Sequence, residues 1–459
     1  MKLLFFTLTL AALATAQDHP APETSIRHVT IINVQTGAEL RDQTVRIQGT
    51  RIASIAPTQD PNASPNSIDA HGAYLIPGLW DMHVHVHDTD ELPLYIANGV
   101  TGIRIMSGER NTAARRAELA RESPSPEIYL ASAIVDGDPP IWPGSIVVKK
   151  PADARRTVDE IKSSGADFVK VYNRIPRDAY FAIADEGKQQ HIPFEGHVPD
   201  AITAQEASSA GQRSIEHLTG IPISCSSKQD ELMAESLRAQ MFRDKLTVEA
   251  RAYQSFDNVK CQALFQDFSR NQTWQVPTLT VLQLWGRLDD QRYLSDPRQA
   301  YIDRKFRERW DERTDFQRHH WSRQQFDMNR GIFSADKKIV GAMFRAGVPM
   351  MAGTDAMNPY CFPGFSLHDE LAMLVESGVT PLAALQMATI NPAKFMDRTA
   401  DLGTVEPGKL ANLVLLRADP LADIHNTTQI EAVWLEGKYF NHEALSEIME
   451  KAKENAKHK

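Results

Sequence analysis

Residues 77–85 read Pro-Gly-Leu-Trp-Asp-Met-His-Val-His. Leu79, Trp80, Met82 and Val84 give the stretch the apolar content of a buried strand. Side chains two apart on a strand project to the same side, so His83 and His85 point together and can hold one divalent ion between them. His87 keeps the period but falls past the expected strand end and is left outside the ligand set.

Four further segments end in chemistry of the same kind. In Gly165-Ala166-Asp167-Phe168-Val169-Lys170-Val171-Tyr172 a lysine interrupts an apolar run. Burying it as an ammonium is costly, and burial lowers its pKa. A neutral amine can take up carbon dioxide to form a carbamate, whose two oxygens can bridge two metals. Glu195-Gly196-His197-Val198-Pro199 and Ser214-Ile215-Glu216-His217-Leu218 each place a histidine at the C-terminal end of a short β-rich run, where barrel enzymes carry their sites. Met350-Met351-Ala352-Gly353-Thr354-Asp355 ends an apolar run on a carboxylate.

The middle of the chain alternates strand and helix, the pattern of parallel βα units. Strands are expected at about 79–86, 100–106, 127–133, 167–172, 192–197, 212–217, 274–282 and 349–355, with helices such as 152–163 and 178–189 between them. Eight strands predict an α/β fold, a (β/α)₈ TIM barrel over 76–399. Short β-rich runs at 30–34, 44–48 and 52–55, and again at 412–416 and 430–435, predict a small β-sandwich domain formed from both chain ends, 17–75 and 400–445. Segment 284–330 is rich in Arg and aromatic residues. Ile302, Phe306 and Trp310 recur at four-residue spacing, which predicts an amphipathic helical insertion.

Hydrophobic residues at 42% and charged residues at 24% describe a globular chain with a sizeable core. The net charge of −9 excludes nucleic acid as the default partner. Lys2, the apolar stretch 3–13 and the small residues Ala14-Thr15-Ala16 predict a signal peptide over 1–16, hence a periplasmic or secreted protein. The stretch is shorter than the roughly 20 residues of a spanning helix, and no later segment is apolar enough, so no membrane partner is expected. Cys225, Cys261 and Cys361 are too sparse for a disulfide framework. A single Cys225–Cys261 bridge and three free thiols both remain open.

With these residues on the page, the chain resembles the amidohydrolase superfamily, close to its imidazolonepropionase-like and Xaa-Pro dipeptidase (prolidase-like) branch. The resemblance runs from Leu75-Ile76-Pro77-Gly78 to Leu402-Gly403-Thr404-Val405-Glu406-Pro407-Gly408-Lys409. It implies two divalent metal ions, expected to be zinc: His83, His85 and Asp355 on the more buried one, His197 and His217 on the other, and carbamylated Lys170 between them. Two loops depart from the branch. Its members often carry a glycine-rich segment with a histidine after strand three, and glycines after the bridging lysine; here stand Val135-Asp136-Gly137-Asp138-Pro139-Pro140 and Tyr172-Asn173-Arg174-Ile175.

The implied activity is metal-dependent hydrolysis of amide or peptide (C–N) bonds in a small-molecule substrate. A metal-activated hydroxide attacks, Asp355 is the general base, and Tyr172 donates to the oxyanion. His368, on the loop expected after strand eight, is the candidate substrate contact. A mononuclear cyclic-amide hydrolase or deaminase is the alternative, since Asp200 follows His197 by three residues and could carry a proton. Against it, deaminases of this superfamily do not generally use a lysine on strand four. A non-catalytic binding protein is the third class. An assembly of identical chains is compatible with the sequence. Arginines of the insertion could orient an anionic substrate end, or simply pair with neighbours such as Asp303, Glu308 and Asp311.

Overall fold

The computed structural model describes residues 23–59, 66–239, 242–310 and 321–458. The export segment expected at 1–16 lies outside the described residues. Strands Leu79–Val84, Val100–Ile105 and Glu127–Leu130 pair in parallel as one three-stranded sheet. A six-stranded parallel sheet takes in Val135–Asp136, Ile146–Val147, Val169–Val171, Phe194–Gly196, Ser214–Glu216 and Trp274–Val276. Leu79–Val84 and Val100–Ile105 are buried along their whole length, as strands covered on both faces must be.

Single parallel bridges join these pieces. Ala131 bridges Phe168, Gln275 bridges Met350, and Ala356 bridges Val84, so the order returns to its first strand. In place of the closed eight-stranded sheet expected from the sequence, the strand pairing gives two separate parallel sheets, with single bridges between them and to segment 350–356. That last segment is not a regular strand, because Asp355 adopts a left-handed backbone (φ 61°) and interrupts the extended run. The strand expected at 274–282 also needs correction: it stops at Val276. Pro277 cannot donate to a ladder, Thr278 turns left-handed (φ 49°), and Leu279–Trp285 is a helix.

Helices cover the connections for local reasons. Pro151–Ser164 starts on a proline, buries Ala154, Thr157, Val158 and Ile161 along one stripe, and stops at Gly165 with φ 80°. Ala204–Ser209 is opened by a reciprocal Thr203–Glu206 capping box. Among the described residues, no helix is long and apolar enough to cross a membrane.

Both chain ends build one eight-stranded sheet, ordered Lys438–Asn441, Ile430–Leu435, Leu413–Leu416, Tyr74–Pro77, Glu23–Ile32, Glu39–Gln48 and Arg51–Pro57, with Ser67–Asp69 beside Glu23–Ile32. Val45, Ile47 and Ile52 from one end share a core with Leu413 and Trp434 from the other. The strands from the two ends thus share one apolar core within a single sheet, which meets the expected β-sandwich only in part. In the described residues of segment 284–330 the chain forms short helical turns (Gln291–Leu294, Pro297–Tyr301, Arg304–Arg307, Glu308–Trp310), and the long helix Arg323–Arg345 begins there. Ile302 and Trp310 are buried in a cluster with Val281, Tyr360 and Phe362.

Cys225 and Cys261 form a disulfide across 36 residues, and Cys361 is a buried free thiol. Closing a loop of that length restricts the unfolded chain by about 2–4 kcal/mol. Replacing both Cys225 and Cys261 by Ala should lower the unfolding free energy by about that amount in denaturant titrations under oxidising conditions; an unchanged midpoint would mean that the bridge restrains nothing.

Candidate metal centre

The expected ligands stand in or directly after the parallel strands, and Asp355 in the bridged segment 350–356. His83 lies in Leu79–Val84 with His85 just beyond, and Lys170 is central in Val169–Val171. His197 and His217 directly follow Phe194–Gly196 and Ser214–Glu216, and the His217 backbone is left-handed (φ 56°). Asp355 is brought to them by its backbone N–H donating to the His83 carbonyl at 2.8 Å. The rings converge: His83 and His217 centroids are 4.5 Å apart, His197 and His217 4.9 Å, His83 and His85 5.5 Å.

All four imidazoles are anchored through Nδ1. The partners are Glu216 Oε2 for His83 (2.7 Å), Ser107 Oγ for His85 (2.8 Å), Asn173 Oδ1 for His197 (2.7 Å) and Thr278 Oγ1 for His217 (2.6 Å). With Nδ1 engaged, Nε2 is the nitrogen left for a ligand. His83 Nε2 and Asp355 Oδ1 are both buried with no hydrogen-bond partner. Asp355 Oδ1 lies 3.3 Å from His83 Nε2 and 2.8 Å from His85 Nε2, approaches that lack hydrogen-bond geometry. Buried polar atoms left in this way are costly unless a cation completes them. His83, His85 and Asp355 offer ligand atoms within 4.8 Å of one another, so the donor set fits a divalent ion.

The electrostatics favour the same use. Burial, then the charges of His217 and Lys170, push His83 well below the usual imidazole range, and burial brings His217 down to about 4. Both rings are therefore neutral, the form that binds metal. Burial also brings Lys170 down to about 8, against the pull of Glu216 and Asp355. Burial alone would raise Asp355, but His217, His85 and Lys170 outweigh it and hold the carboxyl below its ordinary value.

Residues 329–439, which contain Asp355, match the profile of the amidohydrolase family. This segment is an amidohydrolase-family domain. Curated relatives match in part: "Adenine deaminase 2" of Agrobacterium fabrum is 35% identical over 102 residues, and "Imidazolonepropionase" of Geobacillus kaustophilus 41% over 71 residues. Those matches span 21% and 15% of this chain and only 17% and 16% of the relatives. The fold likeness is wider. A bottromycin amidohydrolase superposes with a TM-score of 0.73 at 22% identity, over 96% of this chain and 91% of that one. A Xaa-Pro dipeptidase with bound methionine in the active site does so with 0.66 at 18%, over 92% and 100%.

Beneath the candidate centre lies a charge network that the sequence reading missed. Arg104 is fully buried, with Nη1 2.7 Å from Glu195 Oε2 and Nη2 2.9 Å from both Glu216 oxygens. Its one signal in the sequence is the signal that found Lys170: a cation inside an apolar run, Val100-Thr101-Gly102-Ile103-Arg104-Ile105. Asp81 accepts from the backbone N–H of His83 and from the Thr354 hydroxyl, tying the two ligand segments together. Tyr172 lies over His197, with centroids 4.1 Å apart, and its oxygen accepts from Trp142 Nε1 at 2.8 Å, leaving its own proton to donate. His368 is a correction. It lies inside helix Phe365–Glu376, buried, with Nδ1 on Thr427 Oγ1 (2.9 Å) and Nε2 on the Asn98 carbonyl (3.1 Å), so neither ring nitrogen is left for a substrate.

Two substitutions separate the layers of this site. Ser107→Ala removes only the anchor of His85 and should weaken metal retention roughly 10–100-fold in chelator competition, with circular dichroism unchanged. Arg104→Met leaves two buried carboxylates without their cation and should cost about 3–5 kcal/mol in unfolding free energy. Equal effects of the two on stability would mean that the network is not the supporting layer.

Proposed function

We propose that the chain is a metal-dependent hydrolase that cleaves amide or peptide bonds of small molecules at a two-metal site. The observation that carries this reading is the cluster of His83, His85 and Asp355, whose ligand atoms lie within 4.8 Å of one another and of which His83 Nε2 and Asp355 Oδ1 have no partner, with the rings of His217 and His197 following on from His83. On this reading the cyclic strand order is a (β/α)₈ barrel with the site at its C-terminal rim. His83, His85 and Asp355 would hold one divalent ion, expected to be zinc, and His197 and His217 the other. Lys170 would stand between them as a carbamate: its neutral amine bonds to the carbon of carbon dioxide and releases one proton. When bound, the ions supply Lewis acidity and lower the pKa of water toward neutrality.

The remaining steps belong to side chains. Asp355, held below its ordinary pKa, is ionised and can accept the proton of the attacking water, then hand it to the leaving amine. Tyr172 can donate its phenolic proton to the oxyanion, because burial keeps it protonated and Trp142 fills only its acceptor side. The Cys225–Cys261 bridge supports an oxidising location, in keeping with export.

The adenine deaminase relatives favour a second reading, a mononuclear deaminase or cyclic-amide hydrolase. It would need Asp200 as proton carrier, yet that carboxylate accepts from Lys245 Nζ at 2.5 Å and from Ser236 Oγ at 3.2 Å. Metal analysis of the purified chain distinguishes the two: near two ions per chain supports the hydrolase, near one the deaminase.

Asp355→Asn should remain folded and retain some metal, because the amide keeps a carbonyl oxygen, but lose about 10²–10⁴ in turnover for lack of a base. Wild-type turnover in that variant would remove Asp355 from the role. Lys170→Ala should lose metal and activity together, and acetate or propionate should partly restore metal binding by supplying the missing pair of oxygens. A variant that keeps two ions without added carboxylate would rule out a bridging lysine.

A further inference from the structure

At the end of the strands opposite the candidate metal ligands lies a cavity of about 730 Å³. Pro193, Arg213, Trp274 and Met350 line it, and each precedes or opens one of the parallel segments Phe194–Gly196, Ser214–Glu216, Trp274–Val276 and 350–356. His197, His217 and Asp355 stand at the other end of the same segments. Helices Pro381–Met387 and Ile390–Phe395 supply another part of the wall, and no expected metal ligand lines it. The cavity is therefore separate from the candidate centre, and its volume falls within the range of about 300–1,000 Å³ that small-molecule sites occupy.

Its lining selects by shape and by charge. Trp274, Phe344 and Phe395 supply aromatic surface. The charged lining residues are Arg213, Lys394 and Asp397, two cations against one carboxylate, in a chain of net charge −9. Arg213 is held in place by the protein itself. Its guanidinium carbon lies 4.5 Å from the centroid of the Phe395 ring, and Nη2 donates to the Phe395 carbonyl and, at 3.1 Å, to Asp397 Oδ2. Among the described residues its Nε and Nη1 have no acceptor. A cation already fixed in orientation binds an anion with little further ordering cost. Lys394 is exposed at the rim, and its ammonium has no partner among the described residues. One net positive charge balances a monoanion, and a carboxylate meets such cations through charge-assisted hydrogen bonds. The aromatic wall suits a flat apolar body attached to it.

We propose that this cavity is a second ligand site, which takes a small aromatic monocarboxylate with its ring against Trp274 and Phe344 and its carboxylate on Arg213 and Lys394. The site does not depend on the reaction proposed above. Its test is calorimetric titration of the metal-loaded full chain with phenylacetate, 4-hydroxyphenylacetate and indole-3-acetate, and with 2-phenylethanol as the neutral counterpart. Phenylacetate should bind at least about tenfold more tightly than 2-phenylethanol, the scale of a charge-assisted hydrogen bond. Arg213→Met and Lys394→Met should each weaken the acids about tenfold and leave the alcohol unchanged, whereas Trp274→Ala should weaken both. Asp355→Asn, altered at the other end of the strands, should bind the acids as wild type does. Lys394→Met changes only an exposed side chain, so it decides the matter even where Arg213→Met does not fold. Acid binding that neither cation variant weakens overturns the proposal, and its loss in Asp355→Asn would place the acid on the metal centre instead. Failure of all three acids to bind up to about 10 mM overturns the proposal as well.

Discussion

Arg104 carries a charge that cannot be discharged in a place where water does not reach. A buried guanidinium is tolerated only where carboxylates and hydrogen bonds meet it on several sides. Glu195 and Glu216 do so from two neighbouring strands, and the backbone carbonyl of Met82 accepts from Nε. Glu216 also faces His83, so the same carboxylate that balances the arginine fixes the tautomer of the first imidazole. Strands Leu79–Val84, Val100–Ile105, Phe194–Gly196 and Ser214–Glu216 are therefore locked together by one charge balance. The lone pair of His83 Nε2 faces the centre as a result of that balance, independently of any ion.

The part of the site legible in the sequence is the part that local geometry controls. His83 and His85 follow from strand alternation, Lys170 from a cation in an apolar run, and His197, His217 and Asp355 from polar residues closing short β-rich segments. What could not be read depends on which strands become neighbours. Glu216 is 133 residues from His83, Thr278 is 61 from His217, and Asn173 is 24 from His197. Asn173 sits in one of the two loops that depart from the prolidase-like pattern, and there it anchors a metal-ligand candidate.

The errors have the same origin. His368 looked like a loop residue because Gly364 precedes it closely, but a helix begins at Phe365 and Asn98 and Thr427 close around the ring. Thr278, Thr280 and Val281 are β-branched and give this stretch strand propensity, yet the carboxylate of Glu370 accepts from the backbone N–H groups of Leu279 and Thr280 and from the Thr280 hydroxyl, and so holds the start of a helix there. In both places tertiary partners override local preference. In the insertion, Ile302 and Trp310 are buried and Phe306 packs beside them, although the chain between them forms separate turns rather than one helix.

Asp355, His217 and Thr278 share a left-handed backbone that side chains with a Cβ adopt at a cost of about 1–3 kcal/mol each. Glycine at any of them would relieve that cost, so selection for thermal robustness alone would favour losing two groups that face the centre and the hydroxyl that anchors one of them. Laboratory evolution of this scaffold toward heat tolerance would accordingly drift toward inert proteins unless every round also demands bound metal. The same three positions form a compact register of whether a divergent copy of this fold still works: a glycine there marks a chain that has traded its chemistry for ease of folding.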